Sequence, residues 1–411
     1  MKVERTDIRL YADVKKVLLR YLDFGLNPDR INPIVEYVLS LDQDQIDLEL
    51  KKIYADFGDR HFDLKGQFLN NFSRINSMVS QALSESQKML LGSYFTHEYS
   101  IQASALFNPS IVAHPDQSGV EEGGLKFIMS LRATGEGHIS SVAFCSGEID
   151  ESGKVILHQM ENKLTSGKVD IKGDAYTVDF DPKTAISSRV LFPQLPSERM
   201  GMEDVRFVEI EDEGSYVGTY TAYSGTDIRP QLIVTEDFQR FEIGGLKGTM
   251  ATNKGLALFP RKVNGRYAMI GRQGGRSLSI MFSDSLYEWN DSAPLQIPQR
   301  GWEMLQIGNN GSPIETEAGW LLLTHGVGPM RKYTLSMSLL DLEDPSKVIA
   351  SLDQPLLSPN EEEREGYVPN VLYTCGMIVH AGTLFIPYAM SDSAISFAKV
   401  SIQDVLNELT K

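Results

Sequence analysis

Two adjacent carboxylates and an arginine stand between a glycine and an apolar strand in Gly201-Met202-Glu203-Asp204-Val205-Arg206. On a strand edge such a cluster can keep one carboxyl ready for proton transfer while the guanidinium fixes its neighbour or a sugar hydroxyl, as cleavage of a glycosidic bond requires. The same spacing suits a structural ion pair between two groups of strands, so the hexapeptide takes its meaning from its company. Polar residues recur through the later chain as Asn108 with Arg132 and His138, Asn253 with Lys254 and Arg272, Glu315 with His325, and finally Asp392. Each has an ordinary alternative. Lys254 suits a solvated strand end, Arg272 a glycine-flanked turn, and His325 a satisfied inner-strand position, while Glu203 suits support of Arg206. The glycine-rich stretch Gly135–Ser141 follows a strand and carries no assigned role.

Elements that could hold these residues differ along the chain. Up to about residue 95 the apolar residues Leu10, Val14, Val17, Leu18 and Tyr21, then Ile34 to Leu39, Leu48 to Tyr54 and Phe68 to Val79, follow helical spacing. Asn27, Asp42 and Asp63 suit helix starts. Residues 1–95 are therefore expected to form a helical region for packing or subunit contacts, and 96–411 a β domain. After residue 100 short apolar strands alternate with Gly, Asp, Asn and Pro turns. A turn glycine leading an apolar strand recurs at Gly124, Gly214, Gly265, Gly319 and Gly382, at intervals of roughly 50 to 90 residues. Thr235–Phe241 repeats as Ser283–Trp289. Periods near this length mark propeller blades, because a four-stranded blade must stack on neighbours to bury both faces. The expected fold is mainly β: a five-bladed propeller with an α-helical N-terminal region, and an insertion near Gly167–Ser197.

Composition narrows the partners. Lys plus Arg is 39 against 55 Asp plus Glu, and the net charge of −16 disfavours nucleic acid and anionic membranes. The start of the chain has no apolar signal core and no segment is apolar enough to span a membrane, which points to the cytoplasm. Two cysteines, Cys145 and Cys375, are too few for a disulfide framework, and the histidines form no close ligand pair, so no metal is expected.

Taken in order, these motifs resemble glycoside hydrolase family 130, the mannoside phosphorylases and β-mannosidases, over about residues 104 to 400. The resemblance rests on Asn108-Pro109, Gly201–Arg206 followed by Tyr220-Thr221-Ala222-Tyr223, Asn253-Lys254 leading to Leu258-Phe259-Pro260 and Arg272, Gly308–Thr316, Gly319-Trp320-Leu321, His325-Gly326, Leu339–Leu342 and Tyr388–Asp392. Val205 departs from the family's usual proline, and compact members lack the helical region. The resemblance implies a five-bladed propeller and Asp204 as general acid, passing its proton through a hydroxyl of the bound mannosyl unit. It implies Asn108, Arg206 and Asp392 as sugar-holding residues, with His325 beside them, and Lys254 and Arg272 as phosphate ligands. Where the phosphorylases are expected to carry a further lysine this chain has Glu315, which suits a general base for water. The leading expectation is therefore an inverting glycosidase acting on β-linked mannosides without a cofactor. The alternatives are a phosphorylase with inorganic phosphate as co-substrate, releasing mannose 1-phosphate, or a non-catalytic carbohydrate-binding propeller. The enzyme reading, with water or phosphate as acceptor, requires Asp204, Arg272 and Glu315 to converge on one pocket. The partner is an oligosaccharide or disaccharide, with the helical region as the candidate for homo-oligomer contacts.

Overall fold

The computed structural model describes residues 1–411. They divide into a larger unit, Met1–Asp13 with Gln102–Met160 and Ser166–Lys411, and a smaller one, Val14–Ile101 with Glu161–Thr165. The boundary expected at residue 95 is therefore displaced, and the first thirteen residues belong to the β unit.

The smaller unit holds α1 (Pro28–Ser40), α2 (Gln43–Phe57), α3 (Leu64–Ile75) and α4 (Glu85–Tyr94), inserted between two paired antiparallel strands, Val17–Tyr21 and Thr96–Ser100. Asn27, Asp42 and Asp63 each accept a first-turn backbone N–H, satisfying donors that have no intrahelical partner. Asp42 with Gln45 and Ser84 with Gln87 close reciprocal capping boxes. Ile31, Val38, Ile75, Leu91 and Phe95 form the centre of its core. A Cβ on Gly92 would lie 1.9 Å from the Phe68 carbonyl, so α3 and α4 approach at a distance only glycine permits. Residues 10–21, expected as helix, instead supply the strands Leu10–Tyr11 and Val17–Tyr21. Partner strands decide here: Leu10–Tyr11 pairs with Ala394–Ile395, and Val17–Tyr21 with Thr96–Ser100.

The larger unit is built of antiparallel strands in five groups. Ala105–Ala113, Leu125–Thr134, Ser140–Ile149 and Val155–Leu157 make the first. Gly201–Ile210, Ser215–Tyr223, Ile228–Thr235 and Arg240–Gly245 make the second, joined to the first by a single pairing of Gly201 with Ser140. The insertion near residue 170 is a hairpin, Lys168–Lys172 and Ala175–Asp179, added to the outer strand of the second group. Ala257–Leu258 to Ala293–Gln296 and Gln306–Asn309 to Val348–Ser351 form the third and fourth. The fifth runs from Leu372–Tyr373 to Ala394–Ser401 and also takes up Glu4–Arg5. Between groups the core is aromatic or aliphatic: Phe144, Phe207, Phe238 and Phe241 in one cluster, Leu323, Leu335, Leu372 and Tyr388 in another.

Three short helical turns end in a fully buried glutamate just before the first strand of a group: Pro196–Glu198, Gly301–Glu303 and Glu361–Glu363. Each carboxyl accepts the backbone N–H that opens its turn, from Gln194 at 3.0 Å, Gln299 at 3.0 Å and Asn360 at 3.0 Å. Glu363 is paired with Arg5 at 2.9 Å and Glu303 with Arg300 at 3.5 Å. Glu198 instead meets the hydroxyls of Tyr176 and Tyr220. The Gln231 amide nitrogen donates to Ser197 Oγ, which turns its Oε1 towards the Tyr220 hydroxyl 2.6 Å away. A phenol has one proton to give, so the Tyr220 hydroxyl serves Glu198 and Gln231 Oε1 one at a time. Burial raises the Glu198 pKa, against the bonds it receives from Tyr220, Gln194 and Tyr176. A folded-state pKa raised above its unfolded value adds stability that is lost as pH rises through the folded value. Glu198→Gln, which copies the protonated acid, is expected to flatten that loss in urea unfolding measured across pH. Glu198→Ala, leaving hydroxyls and amides unsatisfied, should cost about 1–3 kcal/mol at every pH. A steeper pH dependence in Glu198→Gln would refute the assignment.

Candidate active site

Two strand irregularities create the site. The pairing of Ala105–Ala113 with Leu125–Thr134 breaks between Phe107 and Ser110, and that of Gly201–Ile210 with Ser215–Tyr223 breaks between Glu203 and Arg206. The residues in the breaks, Asn108 (φ 49°) and Asp204 (φ 55°), are left-handed, a conformation that Asn and Asp tolerate better than other side-chain-bearing residues. Asn108 Nδ2 then donates to Asp204 Oδ1 at 2.7 Å. Arg132, from the neighbouring strand, donates Nη1 to the same oxygen at 3.1 Å and Nη2 to Glu203 Oε1 at 2.7 Å. Its Nε donates to Ser140 Oγ at 2.9 Å, and its guanidinium lies 4.9 Å from the centre of the Phe107 ring. Lys254 Nζ stands 3.8 Å from the other Glu203 oxygen. Glu203 thus supports Arg132 and Lys254, not Arg206 as expected. Arg206 is buried and donates to the Tyr373 hydroxyl at 2.7 Å.

These groups surround a cleft of about 160 Å³. Asn108, Asp204, Arg206, Lys254, Arg272, His325 and Asp392 all line it. Five cationic side chains, Arg132, Arg206, Lys254, Arg272 and Arg331, face two carboxyls there, a local excess of positive charge in a chain of net charge −16. Several buried polar atoms have no protein partner: Arg272 Nε and Nη1, Arg206 Nε, Asn108 Oδ1 and both amide atoms of Asn309. Unpaired polar groups of this kind are costly to bury, and a ligand with several acceptor oxygens satisfies the donors among them, the arginine nitrogens and Asn309 Nδ2.

Glu315 is not in the cleft. Its carboxylate is held by Arg261 through two bonds of 2.6 Å and borders a separate depression with Glu209 and Pro313. Glu315 pairs with Trp320, whereas Gly308 pairs with His325 on the same strand. Five residues of strand, roughly 17 Å, therefore separate it from the cleft end. The convergence of Asp204, Arg272 and Glu315 expected of an enzyme is met by the first two only, so the expectation fails at Glu315. Sequence reasoning passed over Gln306, Asn309, Arg331, Tyr333 and Tyr373, which line the cleft, and gave Arg132 no role. The run Gln306–Asn310 before the hairpin was the available signal, since it leads into the strand carrying His325.

The electrostatics separate the two cleft carboxyls. Burial acts to raise the Asp204 pKa, but Arg132, Arg206, Asn108 and Lys254 outweigh it and hold it below the usual carboxylate range. Burial and the charge of Asp204 push Asp392 up to about 7, with Arg132 and Arg331 opposing. Asp392 is left-handed too, at φ 53° in the turn between the last two strands of its group. Burial, with Arg272 and Arg206 nearby, drives the His325 pKa well down. The Asn310 amide nitrogen donates to the Thr374 carbonyl at 2.8 Å, so its Oδ1 faces His325 Nδ1 at 2.9 Å and fixes the proton there. Gln306 then donates to Nε2 at 3.3 Å. His325 is a neutral, satisfied imidazole stacked 5.6 Å from Tyr333, a wall of the cleft.

A mainly β unit with an acid, an anion-attracting guanidinium cluster and sugar-sized space defines a carbohydrate-active class of protein. The family described as beta-1,4-mannooligosaccharide phosphorylase matches residues 137–411, and the chain belongs to this family, glycoside hydrolase family 130. It is 37% identical over 221 residues to a 1,2-β-oligomannan phosphorylase of Thermoanaerobacter sp. (strain X514), covering 53% of this chain and 73% of that protein. It is 30% identical over 244 residues to a β-1,2-mannobiose phosphorylase of Listeria innocua, covering 58% of this chain and 66% of the relative. Among solved structures, a β-1,2-mannobiose phosphorylase from Listeria innocua bound to β-1,2-mannobiose aligns with a TM-score of 0.57 at 20% identity, over 75% of this chain and 92% of that one. A structure described with family 130 glycoside hydrolases that target β-1,2 mannosidic linkages in Candida mannan aligns with a TM-score of 0.57 at 19% identity, over 74% and 87%. Both likenesses concern the fold.

In protein carrying ¹³C-carboxyl aspartate, one resonance is expected to titrate near pH 7 and to vanish in Asp392→Asn. The Asp204 signal should remain that of an ionised carboxylate at pH 5. Titration of every aspartate below pH 5 would overturn this division of the proton between the two carboxyls.

Proposed function

We propose that this protein is an inverting β-mannoside phosphorylase, acting on β-1,2-linked manno-oligosaccharides and releasing mannose 1-phosphate. The observation that carries the reading is the Arg272 guanidinium, with two buried nitrogens lacking any protein partner, beside Arg206 and Lys254. A phosphate dianion in a partly dehydrated cleft requires such donors, and water does not. The two relatives compared by sequence above are phosphorylases, and by their names they act on β-1,2-linked mannosides.

In this reading a phosphate oxygen attacks C1 of the terminal mannosyl unit and the C1–O bond to the next sugar breaks. Asp204 supplies the proton that the leaving oxygen takes up. The resting Asp204 is held ionised by cations, among them Arg206 and Lys254. Phosphate bound at Arg206, Arg272 and Lys254 offsets that positive charge, so its arrival raises the Asp204 pKa and equips the carboxyl to act as an acid. Asn108, Arg206 and Asp392 are proposed to hold the mannosyl unit. For hydrolysis, a base would have to stand on the opposite ring face from the acid. The only other carboxyl lining the cleft, Asp392, shares the field of Arg132 with Asp204. The five strand groups are proposed to be the five blades of a propeller, which would place the site where their first strands meet.

The decisive assay supplies β-mannobioses of different linkage with and without inorganic phosphate. Phosphate-dependent mannose 1-phosphate is expected, and free mannose formed equally well without phosphate would exclude the proposal in favour of hydrolysis. Asp204→Asn should lower kcat by about 10²-fold or more with the fold intact. Arg272→Ala should raise the KM for phosphate by about tenfold or more while changing that for mannoside far less. An unchanged phosphate KM would remove Arg272 from the anion site.

A further inference from the structure

Three turns meet beside the cleft. One, Gly135–Ile139, carries His138. A second, Gly328–Lys332, carries Met330 and Arg331, and the loop 360–371 carries Tyr367 and Val368. Arg331 and Val368 line the cleft itself. Tyr367 is 49% exposed, yet it is not loose. Its hydroxyl lies 2.9 Å from His138 Nδ1, and the two rings stack at 6.1 Å with 29° between their planes. His138 reaches it from a left-handed backbone (φ 61°), a conformation a histidine adopts at some cost and keeps only where its surroundings impose it.

The loop beneath Tyr367 is clamped as firmly. Glu363, fully buried, receives Arg5 at 2.9 Å and 3.1 Å and the Tyr388 hydroxyl at 2.7 Å. Ser391 Oγ donates to the Glu363 carbonyl at 2.6 Å, and the Val368 N–H donates to the Ser391 carbonyl at 3.0 Å. A Cβ on Gly366 would lie 2.3 Å from that same Ser391 carbonyl. The peptide before Tyr367 therefore lies directly against the turn that carries Asp392. A scattered surface tyrosine is commonplace. A tyrosine whose hydroxyl is engaged, whose backbone is pinned and whose neighbour Val368 lines a sugar-sized cleft has only the ring face turned away from His138 left to offer.

We propose that Tyr367, oriented by His138, is the platform on which the leaving-side sugar of a β-linked manno-oligosaccharide rests. The terminal unit occupies the cleft, and the C–H face of the next unit packs on the phenol ring. This rests on the phosphorylase reading and extends it from the scissile bond to the rest of the substrate. Because the ring is pre-set, little conformational entropy is lost when the sugar binds. Arg5 and Glu363 act through the loop as positioning residues.

The test uses the full chain with β-1,2-mannobiose and β-1,2-mannotriose, comparing wild type with Tyr367→Ala, Tyr367→Phe and His138→Ala. Tyr367→Ala is expected to raise the mannoside KM by about tenfold, with the phosphate KM and Tm unchanged. Tyr367→Phe, which keeps the ring, should stay within about threefold of wild type, and His138→Ala should fall between. A Tyr367→Ala enzyme with an unaltered mannoside KM, or one whose phosphate KM rises equally, would overturn the platform. Calorimetric titration of mannotriose separates this inference from the activity it rests on. If wild type forms no mannose 1-phosphate, the phosphorylase reading fails, while the platform stands if Tyr367→Ala weakens mannotriose binding and falls if it does not.

Discussion

The site depends on one guanidinium holding two consecutive carboxylates. In a regular strand neighbouring side chains point to opposite faces, so Glu203 and Asp204 could not both reach Arg132. The break in pairing between Glu203 and Arg206, with Asp204 left-handed, removes that alternation and turns both carboxyls towards the same arginine. Arg132 is itself fixed by Ser140 and by the face of Phe107. Removing it would leave the Glu203 and Asp204 carboxyls, each less than one fifth exposed, without their main counter-charge, a loss of about 3–5 kcal/mol for a broken buried pair. Asn108 enters the same arrangement from a second break in a second strand, so two distortions of the sheet are stabilised by each other's side chains.

Charge in the cleft is deliberately unbalanced. Burial, with Arg272 and Arg206, lowers the His325 pKa, and the ring stays neutral with its two nitrogens committed to Asn310 and Gln306. Arg272 itself is lowered by burial and by Arg206, with Tyr373 opposing. A site with this surplus holds Asp204 ionised. In the proposed phosphorylase, binding of a dianion and readiness of the acid would be coupled through charge, with no movement of the chain required. The net negative charge of the whole molecule hides this, because the cations converge from strands far apart in sequence.

What could be read from the sequence follows the same logic. Asn108, Asp204, Asn253 and Asp392 were legible through residue type and the family's motifs, and all four prove to be left-handed, a conformation that Asn and Asp tolerate and that the motifs alone did not reveal. The helix starts at Asn27, Asp42 and Asp63 were legible for a comparable local reason, since a cap is decided by the residue and the amides just after it. Glu315 was misplaced because type and approximate position do not give distance along a strand. Its hairpin partner Trp320 fixes it at the far end, where Arg261 takes it up. Residues 10–21 were misread because helical spacing of apolar residues says nothing of a sheet edge waiting to pair. Tyr367 carried no signal, as its role arises only from contact with His138, 229 positions away.

The buried glutamates explain how the scaffold delivers these residues to one place. Each ends a short turn immediately upstream of a strand or loop that enters the cleft: Glu198 before Asp204 and Arg206, Glu303 before Gln306 and Asn309, Glu363 before Val368 and Tyr373. A carboxyl that closes its own turn on a backbone amide makes the approach of the chain rigid, and rigidity there sets the position of every side chain that follows. The three are satisfied differently, by Arg5, by Arg300 and by the hydroxyls of Tyr176 and Tyr220. An identical cation at each would have required three buried arginines of equal reach. The repeat instead conserves the turn and leaves the counter-charge to whichever neighbour is at hand, so that a segment as distant as Glu4–Arg5 fixes the loop beside the cleft.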